Sequence, residues 1–193
     1  MLFPTAFKVP IYRAGLALAP SLLFRIQHFR MHRRFGSHWY WANLKRPQTF
    51  NEKLLQSKLL EEHKSLGHLV DKALVKDWVA ERIGAGHIVP TIGVYERPES
   101  VPIDDLPRPC ILKPTHTSGH VAILRADADE PARDAVTQKL AQWLRINHYQ
   151  VTGEPQYQAI PPRIICEPLL GGVKEDLPDY KFYCFGGKPI FVQ

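Results

Sequence analysis

Acidic side chains are missing from the first fifty-one positions. Residues 1–53 hold nine lysines and arginines against Glu52 alone, a net +8 within a chain of net +6, so the remaining residues carry a net −2. The basic character therefore belongs to an N-terminal arm and not to the body. That argues against a nucleic-acid-binding domain, whose core would supply the positive face, and no nucleic-acid partner is expected. Cysteine is scarce as well. Cys110, Cys166 and Cys184 are odd in number and lack metal-type spacing, which excludes a disulfide framework and points to a reducing, cytoplasmic setting. Long apolar runs are also missing. Ile11 to Phe24 is interrupted by Arg13 and Pro20 and closed by Arg25, short of the roughly 20 residues a membrane span needs. No small-residue cleavage site follows it. The chain carries no Ser/His/Asp signature, Walker A loop, dinucleotide glycine fingerprint, internal repeat or low-complexity tract.

What is present is an ordinary globular composition, 45% hydrophobic over 193 residues, enough for one substantial core or two small ones. Ser21 to Phe35 sets Leu22, Leu23, Ile26, Phe29 and Met31 among Arg25, Arg30, Arg33 and Arg34. This basic amphipathic pattern suits either an anionic membrane leaflet or a helix packed on the body with a solvated basic face. His38 to Leu44 is aromatic-rich. Thr49 with Glu52 three residues on has capping-box spacing, and Phe50 to Glu62 is expected to be a helix, broken at Gly67 and His68. Asp71 to Ile83 is a second helix, ended by Gly84 and Gly86. Ile88 to Tyr95 reads as a short strand, and Arg97 to Pro109, with four prolines, as a connector.

The organising stretch is Cys110 to Leu124, which reads strand, loop, strand. Lys113 stands at the mouth of the first strand, and Thr115, His116, Thr117, Ser118, Gly119 and His120 fill the loop. An ammonium beside loop N–H groups and hydroxyls suits a polyphosphate. Asp129 to Asn147 is a helix, with Glu130 and Pro131 in its first turn and Val136, Leu140, Trp143 and Leu144 on one face. Gly153 to Pro162 is a loop. Arg163 to Cys166 is an apolar strand leading into Glu167. Asp179 to Gly186 is β-forming, Gly186–Gly187 is a hairpin turn, and Pro189 to Gln193 begins the return strand.

Lys72, at a helix start, and Lys113 are both placed to meet phosphate. The main chain beside Glu167 can pair with a purine edge, and Glu175 or Asp176 can accept from ribose hydroxyls. Asp179 and Lys181 share a strand face, and Lys181 can neutralise charge developing on a phosphoryl group. His116 and His120 are further cleft residues, but without Cys or carboxylate partners at ligand spacing no zinc site is expected. Singly, each of these residues fits an ordinary surface role.

Taken together, PQTFNEKLLQSKLL (47–60), DKALVKDWV (71–79), ILKPTHTSGH (111–120), WLRINHYQVTGEPQY (143–157), PPRIICEPLL (161–170) and DYKFYCFGGKPIFV (179–192) resemble the TupA-like ATP-grasp family of teichuronopeptide and cell-surface polysaccharide biosynthesis. The likeness runs from about residue 35 onward. It implies an α+β fold in which two subdomains with antiparallel sheets grip ATP in a cleft. The expected organisation is a basic arm at 1–34, a helical and α+β region at 35–109, and a nucleotide-binding region at 110–193. It also implies an ATP-dependent carboxylate–amine ligase working through an acyl phosphate, with a glycan or amino-acid substrate and with ATP and Mg2+ as cofactors. By position, Lys72 and Lys113 resemble the phosphate-contacting lysines, and Thr117, Ser118 and Gly119 the phosphate loop. Glu167 with Leu169 resembles the adenine-side hinge, and Asp179 resembles a cleft residue. Lys181 is the residue expected to be catalytic.

Two departures stand out. Thr117 replaces a more usual glycine, so a stiffer loop is expected. The acidic and Asn residues that hold Mg2+ in such enzymes are expected beyond Gln193, so no metal ligand is assigned here and the chain as given is expected to be inactive. Two rival readings are a glycosyltransferase, disfavoured by the lack of a DxD-type pair at a strand end, and a non-catalytic nucleotide-binding adaptor.

Overall fold

The computed structural model describes residues 5–34, 40–125, 133–171 and 178–193. Helices α1 (Thr5–Leu18) and α2 (Pro20–Arg34) come first. They are followed by α3 (Phe50–Ser57), a 3-10 turn at Glu61–Leu66, α4 (Gly67–Val70) and α5 (Leu74–Ile83). Strand β1 (Gly93–Tyr95) precedes the hairpin of β2 (Cys110–Pro114) and β3 (Ala122–Leu124). Next are α6 (Arg133–Leu144), α7 (Tyr149–Thr152) and β4 (Ile164–Pro168), then β5 (Phe182–Phe185) and β6 (Lys188–Val192). The architecture is α+β: helices with a four-stranded antiparallel sheet in the order β1-β4-β2-β3, and a separate two-stranded sheet β5-β6.

Alternation in β2 and β4 builds the main core. Cys110 and Leu112 of β2 and Ile164 and Cys166 of β4 point to one face. There they pack with Ala122 and Leu124 of β3, Val136 and Leu140 of α6, and Val101, Ile103 and Leu106 of the proline-rich connector. The connector holds no long element, as its prolines predict, but it contributes three buried side chains. None of Cys110, Cys166 and Cys184 is in a disulfide. Burial, then the neighbouring Cys110, pushes the Cys166 thiol up to about 12, so it is an inert core residue.

The arm packs on the body. Phe24, fully buried, joins Leu16, Ala42 and Leu44, with Leu55 and Leu59 of the α3 region and Tyr149 of α7 against them. Gly153, at φ 71°, ends α7 directly under the Phe24 ring. Lys58 Nζ lies 5.8 Å from that ring's centroid.

Thr49 and Glu52 form the expected capping box. Glu52 also accepts from the Asn43 and Gln48 N–H groups, so its buried carboxylate ties the approach to α3 together. The helix is shorter than the sequence suggests. It stops at Ser57, Leu59 turns into the Phe24 cluster, and Gly67 begins α4 rather than breaking a helix. The short α7 falls just before the loop read at Gly153, and the expected helix start at Glu130 and Pro131 lies outside the described residues.

Candidate functional site

The site is built where the start of α5 meets the ends of β2 and β4. Asp71 Oδ1 accepts from the Ala73 and Leu74 N–H groups, satisfying orphan donors at the helix start. Its Oδ2 accepts from Arg163 Nη2 at 2.9 Å. The Lys72 N–H donates to the Thr115 carbonyl, and the Thr115 N–H donates to the Arg163 carbonyl. This lattice fixes the helix on the sheet and sets the root of Lys72. The Lys72 ammonium donates to the carbonyls of Pro114, at 3.0 Å, and Thr117, which leaves its third N–H available. Burial, then repulsion from Lys113, lowers the Lys72 pKa, against the opposing pull of Asp71 and Glu167.

On the sheet face opposite the core, Lys113 and Glu167 are diagonal neighbours. Glu167 pairs in register with Ile111, two residues from Lys113. Lys113 Nζ donates to Glu167 Oε2 at 2.7 Å. Lys76, one helical turn beyond Lys72, reaches Glu167 Oε1 from α5 and is steadied by the Val89 carbonyl (2.8 Å) and Thr91 Oγ1 (3.0 Å). Burial pushes the Glu167 carboxyl upward, but the hydrogen bonds from Lys113 and Lys76 outweigh it and hold the pKa below the usual range. Glu167 thus lies inside β4, not after it, and its side chain is the hub of a lysine pair.

Asp71 is matched by Arg163. Lys72, Lys76 and Lys113 then stand around Glu167 with two positive charges in excess, all partly withdrawn from water. Such an excess attracts an anion more strongly than a surface patch would, because the Coulomb energy grows as the effective dielectric falls from about 80 toward about 20.

The β2–β3 loop borders this cluster. Thr117 is buried and its hydroxyl bonds His120 Nδ1 at 3.0 Å, whereas Ser118 and Gly119 are exposed. No non-glycine residue has a positive φ among the described residues, and Gly119, at φ 78°, supplies the left-handed position. The turn therefore makes no such demand on Thr117. His116 is buried with Nε2 at 3.1 Å from the Ile146 carbonyl. Burial first, then Lys72, lowers its pKa despite that bond, so its ring is neutral near pH 7.

The remaining sequence-predicted residues lie elsewhere. The Leu169 N–H donates to the Pro109 carbonyl at 3.2 Å, at the Cys110 end of the central β2–β4 pair. Asp179 and Lys181 are exposed beside the β5–β6 hairpin and face each other, Nζ to Oδ2 at 3.5 Å. Glu175 and Asp176 lie outside the described residues. Lys72, Lys113 and Glu167 are thus brought together, with Thr117 reached through its carbonyl, and Asp179 and Lys181 form a pair of their own. Lys76 and the Asp71–Arg163 pair were not read from the sequence. The available signal was the four-residue step from Lys72 to Lys76, which puts both on one helix face.

An α+β fold that gathers lysines from a helix start and a sheet face beside a small polar hairpin loop is one arrangement suited to meeting an anion. The chain belongs to the TupA-like ATP-grasp family, whose family model matches residues 52–193. No curated protein and no solved structure matches it. Among the described residues no group of three His, Cys, Asp or Glu side chains is placed to hold a metal ion.

Proposed function

We propose that the Lys72–Lys76–Lys113 cluster binds the phosphates of ATP and that the protein is an ATP-grasp carboxylate–amine ligase of cell-surface polysaccharide biosynthesis, acting in the cytoplasm. The observation that carries this reading is the excess of two positive charges around Glu167, next to a loop with exposed Ser118 and Gly119. Membership of the ATP-grasp family supports a ligase-type reaction. In that class a substrate carboxylate takes the γ-phosphoryl group of ATP, giving ADP and an acyl phosphate. An amine nitrogen then attacks the acyl carbon, inorganic phosphate leaves, and the nitrogen loses a proton. The glycan or amino acid would supply the carboxylate and the amine.

The chain's own part is to hold. Lys72, tied to the Pro114 and Thr117 carbonyls, keeps one N–H for a phosphate oxygen. Lys113, which spends one N–H on Glu167, presents a fixed ammonium group that needs little reordering when an anion arrives, whereas Lys76, whose three N–H groups go to Glu167, Val89 and Thr91, adds positive charge without a free donor.

Calorimetric titration with ATP tests the reading. Binding is expected for the parent chain, and Lys113→Met is expected to lower affinity by about tenfold or more. Equal affinity in the two would remove Lys113 from the site. ADP release against a panel of amino acids and uronates then identifies the substrates.

A further inference from the structure

The outer side of the N-terminal arm carries a second surface. Phe24 and His28 of α2 turn inward and are buried. Leu22, Ile26, Arg30 and Arg33, spaced four, four and three residues apart, share the opposite side and are exposed. Leu18, at the end of α1, is 85% exposed just before this stripe begins. Across a groove of about 470 Å3, lined by Gln27 and Arg30 of α2 and by Asn51, Leu54 and Leu55 of α3, the apolar surface continues. Leu54 there is half exposed, and Phe50, about one helical turn before it on α3, is 66% exposed.

A patch with leucines, an isoleucine and a phenylalanine standing in water is uncommon on a protein that has no partner for it. Its charge is of one sign. Residues 1–51 contain no Asp or Glu, Glu52 is buried against backbone N–H groups, and Glu154 sits at 3.9 Å from Lys58. No helix among the described residues is long and apolar enough to cross a bilayer. Exposed apolar side chains flanked by arginines, without a span, are the chemistry of a surface that lies on an anionic membrane.

We propose that this face binds an anionic bilayer, with Leu18, Leu22, Ile26 and Phe50 entering the boundary between headgroups and acyl chains and Arg30 and Arg33 meeting lipid phosphates. The binding needs no nucleotide, so it stands or falls apart from the ligase reading. Deleting the arm is a poor test, because Leu16 and Phe24 belong to the core. Exposed side chains can instead be substituted, with circular dichroism confirming the fold.

The full chain is sedimented with vesicles of phosphatidylcholine alone, or with one part phosphatidylglycerol to two parts phosphatidylcholine. It should pellet with the anionic vesicles and not with the neutral ones. The double variant Arg30→Gln/Arg33→Gln should partition about 25-fold less, roughly fivefold per arginine. Leu22→Ser/Ile26→Ser should remove the binding that survives added salt. Equal partition into neutral vesicles, unchanged partition of the arginine variant, or displacement from the vesicles by an RNA homopolymer would each overturn the proposal.

Discussion

Asp71 and Arg163 stand ninety-two residues apart in the chain and meet at 2.9 Å, with the carboxylate fully buried. The pair does two things at once: it caps the start of α5 and pins that start to the beginning of β4. Asp71→Ala removes the acceptor for two backbone N–H groups and leaves Arg163 facing a buried void. Breaking such a pair costs on the order of 3–5 kcal/mol. Asp71→Asn keeps a cap acceptor and should cost less. Urea unfolding should show the midpoint falling in the order parent, Asn, Ala. Equal midpoints for the two variants would mean that the cap acceptor is immaterial, and an Asn midpoint equal to the parent's would mean that the charge on Asp71 is.

Gly153 tests the docking of the arm. A Cβ at this position would stand 2.6 Å from Phe24 Cε1, and the backbone is at φ 71°. Both the clash and the left-handed backbone penalise an L side chain. Gly153→Ala should therefore destabilise by about 2 kcal/mol or more. Gly119→Ala has the same kind of φ but nothing within 4 Å, so only backbone strain applies, about 1 kcal/mol. Thermal melts of the two variants separate the terms. A Gly153→Ala loss no greater than that of Gly119→Ala would argue against close packing of the arm.

Local signals in the sequence were strong where neighbours in the chain decide the outcome. The Thr49–Glu52 capping box, the β2–β3 hairpin and the turn at Gly186–Gly187 all depend on residues a few positions apart. The site was partly legible for the same reason: Lys113 and its loop are contiguous. What the sequence hid is set by long-range register. Glu167 faces Lys113 because β4 pairs with β2 so that Ile111 opposes Glu167, and nothing near Glu167 in the chain announces that partner. Asp71 beside Lys72 reads as a local charge pair, yet its partner is Arg163. Lys76 has no partner near it in the chain that announces its role, because Glu167, Val89 and Thr91 reach it only once α5 is laid against the sheet.

Glu52 predicts an acid-sensitive step in stability. Backbone hydrogen bonds, first from Thr49 and then from Asn43, lower its carboxyl from 4.5 to about 2. A carboxyl depressed on folding stabilises above its unfolded value, and that contribution is lost as pH falls through the folded value. The Glu52 contribution should therefore be complete above about pH 4.5 and decline toward about pH 2. Glu52→Gln should lower stability near neutrality by about 1–2 kcal/mol and flatten this acid limb. Denaturant melts at stepped pH measure both. An acid limb in the variant as steep as that of the parent would assign the sensitivity to other carboxylates.

Lys76 and Glu167 are best separated by a double-mutant cycle. Lys76→Met leaves Glu167 with Lys113 alone, and one of the hydrogen bonds that lower its carboxyl is gone. The carboxyl should titrate at a higher pH, so the stability it supplies should begin to fail earlier as pH drops. At neutrality the loss should be about 2 kcal/mol, less than for a fully orphaned charge because Lys113 remains. Glu167→Gln alone should cost a similar amount, since it leaves two ammonium groups facing each other. The double variant removes one charge of each sign. If the contact is direct, its loss should fall short of the sum of the single losses by about 1 kcal/mol or more. Additive losses would show that Lys76 is held by the Val89 carbonyl and Thr91 rather than by Glu167. The charge excess proposed to receive phosphate would then have to be counted on Lys72 and Lys113 alone.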